Sequence, residues 1–420
     1  MKRLTSLLAL AACFASMSAP AATLIRNATV HTLTSAGTLE NTDVLIDKGR
    51  IAEIGRGLRA PDGAEIIDAA GRPLTPGLFG GLGHLGLLEI GLEPPAADAR
   101  FGLGAMRPEF DVTLAYNPDS AAVEVNRAAG ITFAMLMPSP AGDSGPRGGS
   151  ILTGQGGIVT LDAGLEPLAR AMFVDLGGDA SALSGGSRAA QFMLLEQAFT
   201  EARTPDLLRA GDPRQLTPIG RRTLRTYLER GGPFVFHVDR AADILQVIAF
   251  ARREKLRAVI TGGAEAWRVA RELAAADVPV VLAPLDNLPQ NFDQVGATLK
   301  NAARLHAAGV RVAFSLRDTE PHNIRKIRQA AGNAVAHGLP WEAGLAAITR
   351  VPAEVFGVGD RMGSIAVGRP ADLVLWSGDP LEVTSLADHV FIGGEPQPLE
   401  TRQTELRDRY LDRVRRGAAR

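Results

Sequence analysis

A chain of 420 residues, 46% of them hydrophobic, carries enough apolar material for a large core, and one large domain with a smaller appendage is expected. A formal net charge of -1 and an isoelectric point near 6.7 exclude a global field that would attract nucleic acid or acidic lipid. The expected partner is a small molecule.

The chain opens MKRLTSLLALAACFASMSAPAATLIRN. Lys2 and Arg3 precede an apolar run from Leu7 to Met17, and Ala19-Pro20-Ala21 fits a small-x-small cleavage site. Residues 1–21 therefore read as a signal peptide cut before Ala22, which places the mature chain in the periplasm. Leu10-Ala11-Ala12-Cys13 resembles a lipoprotein cleavage box, so lipidation is the alternative, although the apolar region before Cys13 is short. Cys13 is the only cysteine, and an exported mature chain would then have neither a disulfide nor a thiol catalyst. No other run reaches the ~18 apolar residues that a membrane-spanning helix needs.

From Thr23 to about Ala70 short alternating apolar stretches are broken by turn residues. In IDKGRIAEIG two β-rich runs flank Asp47-Lys48-Gly49, where a residue with positive φ is wanted, and this predicts a hairpin. The same texture returns in GSIAVGRPADLVLWSGDP and HVFIGGEPQ. Strand-rich pieces at both ends, with helix-rich sequence between, predict that the two termini pair into one small β domain.

From Leu78 to Ala353 short apolar strands alternate with amphipathic helices. ITFAMLMP, AMFVDLG, PFVFHV, AVITGG, VPVVLAPL and VRVAFSL are the candidate strands, with helices such as RAADILQVIAFARREK between them. Such alternation signals a parallel sheet covered on both faces, and the length, roughly 275 residues, matches an eight-stranded barrel better than a doubly wound sheet. Gly142 to Gly157, GDSGPRGGSILTGQGG, reads as a glycine-rich surface loop, because no Lys-Ser/Thr follows to make it a phosphate loop. RQTELRDRYLDRVRRGAAR reads as a solvated terminal helix.

Chemistry on a barrel sits at strand ends, which makes the seven histidines the natural inventory: His31, His84, His237, His306, His322, His337 and His389. The motifs GRPLTPGL, FVFHVDRAADI and AGLAAITRVPAEVFGVGDRMGSIAVGRPADLVLWSGDP resemble the amidohydrolase superfamily, particularly exported proteins similar to imidazolonepropionases. The resemblance covers nearly the whole mature chain. It implies an α/β fold in which a (β/α)8 TIM-like barrel over residues 76–362 is joined to a small β-sandwich built from residues 22–75 and 363–398, with a helical tail at 399–420. It also implies a metal-dependent hydrolase of C–N bonds, in non-peptide or cyclic amides, holding one divalent metal, zinc foremost.

Against that family pattern several ligands are missing. After Pro76-Gly77-Leu78, where relatives carry His-x-His, this chain has Leu82-Gly83-His84, so only the second histidine survives. His237 matches the histidine of the fifth strand. The sixth strand's histidine is replaced by Thr261, Gly262 and Gly263. At the eighth strand Arg317 or Asp318 occupies the position of the family's aspartate, depending on a one-residue choice of register. No lysine occurs between Lys48 and Lys255, which excludes the bridging carboxylated lysine of a binuclear site. His84, His237 and Asp318 are thus the candidate metal ligands, with Asp318 also the candidate proton shuttle and His322 a candidate substrate contact. Three ligands are enough for one metal with an activated water.

Two functions remain open at this point: a single-metal C–N hydrolase, or a relative without catalysis that keeps the pocket as a binding site or serves as partner of an active paralogue. Homo-oligomerisation is a further expectation. N-terminal sequencing of the periplasmic fraction should begin AATLIRN; a full-length cytoplasmic chain would refute export, and a lipid on Cys13 would select the lipoprotein alternative.

Overall fold

The computed structural model describes residues 22–91, 93–102, 106–139, 150–204, 207, 209, 211–316 and 320–418. Five strands precede the barrel: β1 (Thr23–His31), β2 (Thr38–Asp47), β3 (Arg50–Gly55), β4 (Glu65–Asp68) and β5 (Pro73–Pro76). The barrel strands are β6 (Leu78–Gly83), β7 (Ile131–Leu136), β8 (Leu152–Thr160), β9 (Ala169–Asp175), β10 (Pro233–Val238), β11 (Arg257–Gly262), β12 (Val280–Leu282) and β13 (Val312–Phe314). Three more follow it: β14 (Leu373–Trp376), β15 (Ala387–Ile392) and β16 (Glu395–Pro396).

Strands from both ends of the chain share one sheet, in the order β16-β15-β14-β5-β1-β2-β3, with β4 on β1. The junction between the two ends is the antiparallel β5–β14 pair, where Leu74 faces Leu375. The hairpin between β2 and β3 pairs Asp47 with Arg50. Its two turn residues, Lys48 and Gly49, both have positive φ (49° and 77°), the conformation that matches the twist of the flanking strands. Trp376 ties this sheet to the barrel. Its indole is fully buried, donates to the Thr75 hydroxyl at 2.9 Å, and carries the Arg328 guanidinium 4.7 Å above the ring.

The second sheet runs β6 to β13 in chain order and forms a TIM-like barrel. Neighbours are parallel except at β8, which is antiparallel to both β7 and β9. Two expectations change here: the sheet is not parallel throughout, and Leu152–Gly157 is strand rather than loop, while residues 140–149 lie outside the described residues. The glycines that suggested a loop serve close packing. A Cβ on Gly156 would stand 1.9 Å from the Leu136 carbonyl oxygen, and one on Gly154 2.5 Å from that of Phe110. Gly154 also has φ +124°, a value that side chains other than hydrogen avoid.

Strand alternation sorts the side chains. In β10, Phe234, Phe236 and Val238 face the surrounding helices, while Val235 joins Phe79, Leu82, Phe133, Phe173, Val259, Val281 and Ala313 inside the barrel. One helix, Pro218–Arg230, starts on the Thr217 hydroxyl, which accepts from Gly220 N–H, and stops at left-handed Gly231. Arg402–Ala418 forms the terminal helix. Among the described residues no helix is long and apolar enough to cross a membrane.

The ring meets itself between β6 and β13, and that seam is bridged by side chain as well as backbone. The Leu82 N–H donates to Ser315 Oγ at 2.9 Å, and the same hydroxyl donates to the Leu82 carbonyl at 3.1 Å. Beneath it Phe79 N–H and Phe314 N–H donate to the Ile348 and Ala347 carbonyls at 2.7 and 3.0 Å. Gly80 and Gly81 make the approach possible: a Cβ on Gly81 would lie 2.8 Å from Ser315 Oγ, and one on Gly80 2.9 Å from Ile324 Cγ2. Ser315→Ala strands a buried N–H and should cost about 1–3 kcal/mol, read as a lower urea midpoint at unchanged slope. Gly81→Ala should cost more, since it adds a clash at a positive φ.

Candidate active site

The same alternation that builds the barrel core decides which polar side chains enter its mouth. Two residues beyond inward Phe173 comes Asp175, two beyond Val235 comes His237, two beyond Val259 comes Thr261, and two beyond Ala313 comes Ser315. All four line one cavity of about 400 Å³ at the C-terminal ends of the strands. Its wall is mainly apolar, with Leu82, Phe173, Val235 and Val281 as floor and Met137, Leu183 and Leu316 among its sides. Apolar walls with a few convergent polar groups are the usual form of a small-molecule site, and the strand C-termini are where barrels place chemistry.

His237 and Asp175 are direct register partners on adjacent parallel strands, and neighbouring strands lie ~4.8 Å apart. Burial pushes the Asp175 carboxyl up to about 6, against the opposing pull of His237 and of a hydrogen bond from Thr153. The space for the His237 ring comes from the next strand. Gly262 has φ +83°, and a Cβ there would stand 2.8 Å from Asp239 Oδ1 and 3.0 Å from His237 Cε1. Gly262, one of the three residues set against the family's sixth-strand histidine, thus makes room for the histidine beside it by its missing side chain.

His84 takes a different place from the one expected of a metal ligand. It follows the end of β6, is 6% exposed, does not line the cavity, and its Nε2 lies 2.8 Å from Ser139 Oγ. Burial, aided by Arg100, lowers its pKa to about 4, so it is neutral over the physiological range. The cavity-side position near it belongs to Leu82. His322 sits in the short 3-10 segment Pro321–Lys326 with its side chain 53% exposed, 4.0 Å from Glu320, and does not line the cavity. The alternation that aims strand residues inward has ended before this segment begins. Asp318 and Arg317 lie outside the described residues. Among the described residues no three of His, Cys, Asp and Glu come together as a group able to hold a metal.

Three of the remaining histidines make local structural contacts. His31 packs on Trp341 with ring centroids 4.8 Å apart, His337 Nδ1 is 2.7 Å from the Asn333 carbonyl, and His389 stacks on Phe391. Asp175 is the site residue that sequence reading passed over. AMFVDLG was legible as a strand, and the aspartate at its end carries the period-two signal that would have placed it inside.

The raised Asp175 carboxyl has a consequence for stability. Its folded value of about 6 lies above the usual 3.8, so the folded state holds this proton more tightly than the unfolded chain. Ionised Asp175 therefore opposes folding, not at all below about pH 3.8, increasingly through pH 6, and fully above it. Asp175→Asn should be more stable than the wild type above pH 6, with the gap closing below pH 4, as measured by urea midpoints across that range.

Comparison with known proteins bears on this geometry. The model of the amidohydrolase family matches residues 222–401. An imidazolonepropionase of Acidiphilium cryptum is 37% identical over 105 residues, 24% of this chain and 24% of that protein. A dihydroorotase of Geotalea daltonii is 52% identical over 54 residues, 13% of this chain and 12% of that protein. The matched stretches thus span about a quarter or less of these curated relatives. The crystal structure of an amidohydrolase from Thermotoga maritima aligns over 89% of this chain and 99% of its own, with a TM-score of 0.78 and 27% identity. The cavity at the strand C-termini and the structural likeness over most of the chain agree with the family match, and residues 222–401 belong to the amidohydrolase family.

Proposed function

We propose that this protein hydrolyses C–N bonds in small amides or cyclic amides, with the His237–Asp175 pair as its working centre and at most one divalent ion, zinc foremost. The observation that carries the reading is the placement of that pair, register partners in the polar layer just above the apolar floor of the cavity, where the barrel presents its strand ends. The reaction class follows from the family match and from the names of the relatives, an imidazolonepropionase and a dihydroorotase.

A divalent ion would polarise the amide carbonyl and acidify a bound water. His237 and Asp175, in the polar layer of the cavity, are the described residues best placed to hold it; Asp179 and Asp286 also line the cavity, but among the described residues no three of His, Cys, Asp and Glu form a group able to hold a metal, and an open catalytic site uses three. The family's eighth-strand aspartate falls on Arg317 or Asp318, both outside the described residues, and His84 is engaged with Ser139. The described donors do not by themselves make a metal site, and the chemistry assigned to this chain is therefore proton transfer. A carboxyl titrating near 6 can take a proton from water and return it to the departing nitrogen at neutral pH, and His237 holds the adjacent position against it. The apolar wall excludes bulk water and favours an uncharged amide.

To the same proposal belong export to the periplasm with loss of residues 1–21, the grouping of 22–75 with 363–398 as one β-sandwich domain beside a barrel over 76–362, and a separate tail over 399–420. A second reading, a binding protein or partner of an active paralogue, is favoured by Leu82, which puts an apolar side chain on the floor where relatives carry a ligand. Metal analysis of the purified mature protein, followed by turnover of a panel of amides and lactams with and without added zinc, separates the two. Hydrolysis that falls by at least ~10²-fold in His237→Ala and in Asp175→Ala supports the proposal. Two tightly held metals per chain, or no turnover of any amide with or without zinc, would overturn it, the second result in favour of binding.

A further inference from the structure

We infer that the terminal helix, Arg402–Ala418, is an interfacial anchor that lays its apolar stripe on an anionic phospholipid surface. This face takes no part in the cavity and stands independently of the reaction read there. Local chemistry makes the segment helical. Thr401 and Thr404 cap each other, the Thr404 N–H donating to Thr401 Oγ1 at 3.3 Å and the Thr401 N–H to Thr404 Oγ1 at 2.8 Å, and Arg415 and Arg416 in the last turn suit the negative end of the helix. The first turn is tied to the body, since Thr401 is buried and Arg325 donates to Gln403 Oε1 at 3.3 Å. Beyond it the support ends: Leu406 is half-buried, and from Arg407 to Arg416 every described side chain is exposed, with Tyr410, Leu411 and Val414 at 56%, 42% and 67%.

The exposed surface is ordered by the helical period. At about 100° per residue, Leu406, Tyr410 and Val414 fall in one stripe about 80° wide, with Leu411 beside it. Arg402, Arg409 and Arg413 run along one edge of the stripe and Arg407 along the other, and the Arg413 guanidinium lies 5.5 Å from the Tyr410 ring centre. Glu405 and Asp408 are on the far side, where Asp408 accepts from Arg407 at 2.7 Å. The helix holds six arginines against three acids, in a chain whose formal net charge is -1.

Charge decides what covers such a stripe. A second copy of the helix, packed stripe to stripe in either direction, would set arginine edges against arginine edges, and like charges there repel. An anionic bilayer surface meets both features at once. The apolar side chains enter the headgroup boundary, and the arginines, whose stems lie along it, reach the phosphates as bidentate donors while the acids stay in water. Three or four apolar side chains are too few to hold a neutral surface, so attraction to anionic lipid, about fivefold in affinity for each arginine near the surface, is required.

Sedimentation of the purified mature protein with vesicles tests the anchor. The protein should pellet with vesicles of equal parts phosphatidylglycerol and phosphatidylcholine, stay in solution with pure phosphatidylcholine, and be released at about 1 M salt, where the Debye length is about 3 Å. Arg409→Gln with Arg413→Gln should weaken binding about 25-fold, and Val414→Asp roughly tenfold. These positions are exposed, so circular dichroism should be unchanged. A polarity-sensitive fluorophore on Val414→Cys, the only thiol once Cys13 has been removed, should shift to the blue on the anionic vesicles, which adhesion by charge alone would not produce. No pelleting with the anionic vesicles overturns the anchor; a dimer in analytical ultracentrifugation that Val414→Asp dissociates would then give the stripe to a second copy. Pelleting that Val414→Asp leaves unchanged, with no blue shift, also overturns it and leaves the arginines a site for polyanions in general.

Discussion

The seam between β6 and β13 is the constraint on which the rest of this molecule depends. A barrel of eight strands must bring its first strand against its last, and here the meeting is made by a serine hydroxyl bonding both backbone groups of Leu82. Such a bridge needs the two chains closer than ordinary side chains allow. The glycine-rich stretch LFGGLG answers that need, since Gly80 and Gly81 leave room for Ile324, Ile131 and Ser315. In a strand that also begins the cavity mouth, closure and the lining of the cavity compete for the same positions. Leu82 lies at the junction, with its backbone in the seam and its side chain on the cavity floor.

That competition orders the site. With an apolar side chain at Leu82, the floor continues the packed barrel interior of Phe79, Phe173, Val235 and Val281 upward into the cavity, and polar groups appear only one pleat higher. Asp175, His237, Thr261 and Ser315 form that layer. Gly262 then supports His237 by absence: its positive φ and missing Cβ leave the ring its volume, while Asp239 behind it accepts from the Ala264 N–H and from Gln294. The carboxyl of Asp175 is driven upward by the dryness of the layer. A low-dielectric pocket that raises the Asp175 carboxyl favours substrates and intermediates with little net charge.

The return of the chain into the first sheet gives the barrel a fixed base. The β5–β14 pairing joins residues about three hundred positions apart, and Trp376 locks it by packing against Gly130 at the foot of the barrel, where a Cβ would lie 2.6 Å from the indole. Arg328 adds three donor contacts from the barrel's last helices to the carbonyls of Pro380, Glu382 and Ser385.

Periodicity and turn chemistry are local properties, and those the sequence determined by itself: the Lys48-Gly49 hairpin, the six apolar strands of the barrel, the helix that ends the chain, and His237 at the end of its strand. Each depends on contacts within a few residues, so a single chain carries the signal in readable form. What only the tertiary structure decided depends on neighbours far apart in sequence. Gly154 and Gly156 resemble loop residues until Phe110 and Leu136 are placed against them, which is why β8 was missed. The orientation of His84 turned on Ser139, which is 55 positions away. Asp175 became a site residue because β10 lies beside β9, and whether a histidine at a strand end meets a metal, a substrate or a serine is set by which strands close around it.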